Sequence, residues 1–299
     1  MSEAARVVEL RQPRRPAHAV ISALRPRQWS KNLLVFAGIV FAAKLGDVGR
    51  WLPAIAAFVA YCGASSAAYL LNDLRDVDHD RLHPIKRARA IARGELSSEF
   101  ALVLAGVLTL AALAITAALG FASLLFLLGF VALQLAYSLG LKRVVLVDVL
   151  LIAGLFVIRA AAGASAVDVS ISMWLLVCTA LLALFLGLAK RRGELVLVGA
   201  EATPGRPVLE GYSLRLVDRL LNSVALATIG AYAVYAVTAH SAWMAVTVSF
   251  VVAGLARYLV LVHRHELGEE PENVLLSDRP IIACVAVWAV ASAVILALT

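Results

Sequence analysis

The chain has 299 residues, of which 62% are hydrophobic and 16% charged, and a formal net charge of +7. Soluble domains average about 45–50% apolar and about 25% charged. The composition therefore excludes a disordered chain and argues against a soluble enzyme built on one core. The basic residues sit in the gaps between apolar runs instead of forming one stripe, which points to membrane topology and away from nucleic acid.

Residues 1–24 form a basic, proline-broken tail, expected to be flexible, with no apolar stretch that would read as a cleavable signal peptide. From residue 25 to 299 the chain reads as one transmembrane domain. A spanning helix takes roughly 20 apolar residues, and runs without Asp, Glu, Lys or Arg mark the spans. The first, at about 28–43, is short and tolerates Lys31 near its start. The second is 51–72, and 100–141 is long enough for two spans with a tight turn near Gly120. Residues 144–163 form a span carrying Asp148 and Arg159, followed by a span at 169–189. The stretch 220–262 again holds two, turning near His240 and Ser241, and 280–299 is the last. The prediction is all-α, with nine transmembrane helices. Cys62, Cys178 and Cys284 each fall inside an apolar run and read as core residues without disulfide or metal spacing.

Alternation of nine spans puts 24 of the 27 Lys and Arg residues on one side. The positive-inside rule makes that side cytoplasmic and places the amino terminus there. Trp51, Trp174 and Trp243 then fall at outer boundaries, where an aromatic belt would put them. The expected location is the inner (plasma) membrane, with the basic loops facing the cytoplasm.

The loop after the second span opens N-D-L-R-D-V-D-H-D, Asn72 to Asp80. If the helix continues at 100° per residue, Asp73, Asp76 and Asp80 fall within about 60° of one another, and Asn72 shares their side. Clustered carboxylates suit a hard cation such as Mg²⁺, held by a few carboxylates plus substrate phosphates. Arg81, Lys86, Arg87, Arg89 and Arg93 follow at once, and a metal beside such bases is how a protein holds diphosphate. His79 and His83 are four apart, but no third ligand accompanies them, so zinc is not expected. Charges inside spans are costly and usually functional. Asp148 and Arg159 lie close to three turns apart, on one face. Lys31, Lys142, Arg143, Lys190 and Arg191 stand at cytoplasmic span ends, as snorkelling anchors or as a ring around one mouth.

The acidic run at the end of the second of nine helices resembles the UbiA-type prenyltransferase superfamily, all-helical bundles that use Mg²⁺ to bind a diphosphate. Four segments make the chain most similar to its branch of phosphoribosyl transferases: R-P-R-Q-W-S-K-N at 25–32, the acidic run with its basic sequel, Y-S-L-G-L-K-R at 137–143, and E-P-E-N-V-L-L-S-D-R at 270–279. Two departures stand out. Ala90-Ile91 replaces an expected proline turn after Arg89. At the sixth helix end, K-R-R-G-E (190–194) stands where a second acidic motif is usual. One acidic motif suits a diphosphate donor meeting a monophosphate partner better than it suits prenylation of an aromatic ring.

The resemblance implies transfer of phosphoribose from phosphoribosyl pyrophosphate to a polyprenyl (decaprenyl) phosphate, a step towards a lipid-linked arabinose donor for cell-wall arabinan. It implies Mg²⁺ on Asp73 and Asp76, with Asp80 and Asn72 supporting. Arg27, Lys31, Lys86, Arg87, Arg89, Tyr137, Lys142, Arg159, Lys190 and Arg191 become substrate-binding candidates. The alternatives are a prenyl transferase acting on an aromatic acceptor, a CDP-alcohol phosphotransferase, whose D-G-x-x-A-R element is absent from the sequence, and a transporter. The last would not explain an acidic stripe facing five bases in one loop.

Overall fold

The computed structural model describes residues 16–42, 44, 46–82, 86–170, 172–201, 207–238, 242–264 and 271–298. The first 15 residues of the tail, His83, the predicted turn at His240 and Ser241, and Glu270 lie outside them. Among the described residues every regular element is helical: α1 (Pro16–Leu24), a 3₁₀ helix (Pro26–Phe36), α2 (Ala37–Phe41), α3 (Val48–Arg75), α4 (Val77–Leu82), α5 (Ser98–Leu119), α6 (Phe121–Leu139), α7 (Val147–Ala166), α8 (Met173–Glu201), α9 (Leu214–Thr238), α10 (Val248–Arg264), α11 (Pro271–Ser277) and α12 (Arg279–Leu298).

Among the described residues, eight helical stretches are long and apolar enough to cross a membrane. They match the predicted spans from the second onward. The turn expected near Gly120 is there: Gly120 takes φ +126 and separates α5 from α6. The first predicted span differs. It is a 3₁₀ helix of 11 residues followed by the five-residue α2, and 3₁₀ runs longer than 3–4 residues are uncommon. Its first turns carry polar groups, of which Gln28, Trp29 and Asn32 bond to Tyr69, Ser66 and Cys62 outside the segment.

The chain forms two compact units. The first comprises the chain up to Leu33 with Ala56–Leu124. Its core gathers Ala19 and Ala23 of α1, Ala67 and Leu70 of α3, Ala90, Ile91 and Leu96, and Ala101 and Ala105 of α5. Small residues on one face of α5 let helices approach, while Leu102, Val103, Val107 and Leu110 point outward, as lipid-facing positions do. Ser97 caps α5 by accepting from the Phe100 N–H at 3.2 Å. Here the 3₁₀ helix runs beside α3: the Trp29 indole donates to Ser66 Oγ at 3.0 Å, and the buried Asn32 amide to Cys62 Sγ at 3.4 Å.

The second unit comprises Leu34–Ile55 and the chain from Leu125. Its core is built on Val149 of α7, Phe185 and Leu188 of α8, Leu221 of α9, and Leu255 and Tyr258 of α10. Gly163 of α7 meets the chain at Val35 so closely that a Cβ would lie 1.8 Å from the Val35 carbonyl oxygen. That crossing admits only glycine.

Candidate active site

The acidic run does not continue as one helix. α3 ends at Arg75 and α4 begins at Val77, although the Asp76 N–H still reaches the Asn72 carbonyl (3.0 Å) and the Asp80 N–H the Asp76 carbonyl (2.8 Å). Asp73 and Asp80 turn inward and are buried, 4% and 3% exposed, while Asn72 and Asp76 are half-buried.

Two arginines converge on the buried pair. Arg89 Nη1 lies 3.1 Å from Asp73 Oδ1 and 2.6 Å from Asp80 Oδ2, so one nitrogen bridges both carboxylates. Arg25 comes from the junction of α1 and the 3₁₀ helix. Its Nη2 lies 2.6 and 2.7 Å from the two oxygens of Asp73, and its guanidinium covers the Tyr69 ring at 4.7 Å. Such charge-assisted contacts are the strong ones. Ala90 and Ile91, which replace the expected proline turn, are buried in the unit's core, and Gly94 at φ +73 closes the turn behind them. This anchors the chain on the carboxyl side of Arg89.

The other predicted bases of this unit are arranged differently. Lys31 donates to Gln28 Oε1 at 2.6 Å, an acceptor shared with the Tyr69 hydroxyl at 3.3 Å. Arg27 and Arg87 are exposed and Lys86 is half-buried. His79 is exposed.

In the second unit, Tyr137 lies in the last turn of α6, and Lys142 in the 3₁₀ turn Leu141–Arg143, both half-buried. Asp148 and Arg159 are both buried, as their shared face predicts, but they have separate partners. Arg159 donates to the Leu155 carbonyl at 2.9 Å and lies over the rings of Phe130 (4.6 Å) and Phe156 (5.4 Å). Asp148 pairs with Arg191, Nε to Oδ2 at 2.7 Å, and Arg191 also pairs with Glu194. The Tyr212 hydroxyl donates to Asp148 Oδ1 (2.7 Å) and accepts from the Leu146 N–H (2.8 Å), holding Leu146 at φ +65. Burial, and then the bond to Asp148, push the Tyr212 hydroxyl well above its ordinary range. Arg191 was expected to meet phosphate, yet it is 1% exposed between two carboxylates. Arg192 likewise serves the fold, paired with Asp218 at 2.7 Å and donating to the Val262 carbonyl. Lys190 remains half-buried beside them.

Sequence reasoning missed Arg25, Glu194 and Tyr212. Arg25 lay in a motif noted for its likeness, but its partner is 48 residues away.

Among the described residues no three His, Cys, Asp or Glu side chains gather as a ready metal cage. The donor set nonetheless fits Mg²⁺, which takes one or two carboxylates and completes its shell with water and phosphate. The Arg89 nitrogen already occupies a cation's place between Asp73 and Asp80.

The family model described as "UbiA prenyltransferase family" matches residues 33–276. The chain is 35% identical over 292 residues to decaprenyl-phosphate phosphoribosyltransferase of Mycolicibacterium smegmatis, covering 92% of each chain. It is 36% identical over 276 residues to the protein of that name from Mycobacterium tuberculosis, covering 90% of this chain and 91% of the relative. Among solved structures, a UbiA homolog from Archaeoglobus fulgidus bound to GPP and Mg²⁺ superposes with a TM-score of 0.72 at 20% identity, over 93% of this chain and 99% of that one.

Proposed function

The chain belongs to the UbiA prenyltransferase family, and from that premise we propose that it transfers 5-phosphoribose from phosphoribosyl pyrophosphate to a polyprenyl phosphate, releasing diphosphate. The relatives that cover nine-tenths of it carry that activity in their name. The observation that carries the reading on the chain itself is the joint burial of Asp73 and Asp80 around the Arg89 guanidinium. A site that balances carboxylates against guanidiniums within hydrogen-bond reach can exchange them for a metal and phosphates.

Asp73 and Asp76 would hold Mg²⁺, with Asn72 and Asp80 supporting; the ion would neutralise charge developing on the diphosphate leaving group. Arg89, Lys86 and Arg87 would take phosphate oxygens of the donor, and Lys142 and Lys190 are candidates for the remaining phosphates. Tyr137, Arg27, Lys31 and Arg159 complete the proposed substrate-binding set. An acceptor phosphate oxygen forms the new bond to the anomeric carbon as the bond from that carbon to the diphosphate oxygen breaks. The acceptor is already ionised at neutral pH, so no strong general base is needed. The product would feed a lipid-linked pentose donor for cell-wall arabinan.

The reading places one transferase domain, residues 25–299, in the plasma membrane, with the amino terminus and the site on the cytoplasmic side. A ninth crossing is consistent with the unusual first segment. Eleven 3₁₀ residues rise about 22 Å and five α residues about 7.5 Å, close to the roughly 30 Å of a hydrocarbon core. Purified protein incubated with labelled phosphoribosyl pyrophosphate, Mg²⁺ and polyprenyl phosphate should yield a lipid-soluble label. A prenylated product from prenyl diphosphate and 4-hydroxybenzoate, with no phosphoribosyl lipid, would overturn the assignment.

A further inference from the structure

Arg25 meets Asp73 in a way that Arg89 does not. A single nitrogen, Nη2, stands 2.6 and 2.7 Å from both carboxylate oxygens, on the bisector where a chelating cation would sit. Arg89 reaches only Oδ1 of Asp73 and divides itself with Asp80. The chain delivers Arg25 there deliberately. It holds a non-glycine residue at φ +52, a conformation that persists only where surroundings impose it. The preceding carbonyl, of Leu24, is fixed by the Ser66 hydroxyl at 2.8 Å; Ser66 in turn accepts from Trp29 at 3.0 Å, and Tyr69 supports the guanidinium from one face. Arg25 lies outside the stretch matched by the family model, which begins at residue 33.

We propose that Arg25 is an internal counter-ion that closes Asp73 to a bare divalent metal and yields it only when the metal arrives with a diphosphate, whose oxygens then receive the guanidinium. The physical case is one of exchange. A bare cation reaching Asp73 must displace a guanidinium from a carboxylate that is 4% exposed, leaving that guanidinium without an equal partner. A metal–diphosphate complex brings the acceptors along, and guanidinium and phosphate pair in a bidentate fork. The flexible stem of Arg25, a quarter exposed at its side chain, permits the swing. The rest of the cluster need not move. The inference rests on the proposed metal site but not on which donor carries the diphosphate.

The test uses the full chain in detergent and two probes without turnover: Mn²⁺ alone, followed by electron paramagnetic resonance, and inorganic diphosphate with saturating Mg²⁺, followed by calorimetry. Arg25→Gln removes the competitor and the phosphate partner together. It should bind Mn²⁺ at least about tenfold more tightly and diphosphate at least about tenfold more weakly, the size of one charge-assisted contact. A purely structural arginine would weaken both. Metal affinity unchanged or lowered, or diphosphate affinity unchanged or raised, overturns the proposal. Arg25→Lys keeps the charge and loses the fork, and should shift both affinities in the same two directions by less; it carries the test if the glutamine variant does not fold. Failure of phosphoribosyl transfer would leave these two measurements standing, since any diphosphate donor shares them.

Discussion

The guanidinium of Arg191 and the carboxylate of Asp148 lie 2.7 Å apart with almost no access to solvent, 1% and 0% exposed. With Glu194 and Tyr212 they tie α7, α8 and the strap before α9 into one buried polar network. This unit therefore uses the first arginine of the sixth-helix basic run as a structural partner, in a place where a surface arginine would meet ligand.

Breaking that pair from one side strands the other charge. Arg191→Ala should cost about 3–5 kcal/mol, the range for removing one member of a buried ion pair. Thermal unfolding in detergent checks it. Arg191→Met combined with Asp148→Leu and Glu194→Gln should recover part of the loss, because no lone charge is then left inside.

Tyr212→Phe keeps the ring and loses the hydroxyl, which donates to Asp148 and accepts from Leu146. The expected cost is about 1–3 kcal/mol, together with faster hydrogen exchange at the Leu146 amide. The sign with pH follows from the raised hydroxyl, whose ordinary value is 10.0. Its contribution is fully present below that value and is lost as pH rises above it. The gap between wild type and variant should thus be constant up to about pH 10 and shrink beyond it.

Asp278 works in the opposite direction. Its carboxylate accepts from Arg257 at 2.8 Å and from the Ile281 N–H at 3.0 Å at the start of α12. The Arg257 contact holds its carboxyl below the ordinary 3.8. The stability this supplies is present above 3.8 and lost as pH falls through the lowered value. Asp278→Ala should destabilise at neutral pH, and the difference from wild type should vanish in strong acid, as read by unfolding midpoints across pH.

Asp73→Asn keeps size and one acceptor but removes the charge that a metal would need. Turnover should fall by about 10³-fold or more, several kcal/mol of lost charge stabilisation. Rates within tenfold of wild type would move the metal elsewhere.

Gly163→Ala should fail to accumulate as folded protein, because its methyl would sit 1.8 Å from a backbone oxygen that has no alternative path. Fluorescence-detected gel filtration of the variant beside Gly106→Ala, whose Cβ meets nothing within 4 Å, separates this from a general cost of helix substitution.

Runs of apolar residues were enough to read the long spans, down to the turn at Gly120, because a bilayer imposes length and composition on each segment. The first segment defeated that reasoning. Trp29 and Asn32 find their partners on α3, and hydropathy carries no trace of such bonds. The acidic run was legible as a cluster, but not the division of labour within it: Asp73 and Asp80 turn in, Asp76 stays half-buried. That division follows from the two arginines, Arg25 and Arg89, which packing brings to Asp73 and Asp80. The roles of Arg25 and Arg191 were hidden for one reason. Whether an arginine serves ligand or fold depends on carboxylates brought close by packing, 48 residues away for Asp73 and 43 for Asp148.

The 3₁₀ helix and α3 have different pitches that nevertheless keep step. Trp29 and Asn32 are three residues apart and advance about 6 Å at the 3₁₀ rise, while their partners Ser66 and Cys62 are four apart and advance about 6 Å at the α rise. The two elements mesh like a three-tooth wheel running against a four-tooth rack. An α-helical version of the same segment would advance only about 4.5 Å over those three residues and leave Asn32 about 60° out of line. The tight winding is thus a vernier that sets the axial position of Arg25, the residue immediately before the 3₁₀ helix, against Asp73, and a one-residue insertion between Trp29 and Asn32 would throw that scale off while leaving the segment's hydropathy almost untouched.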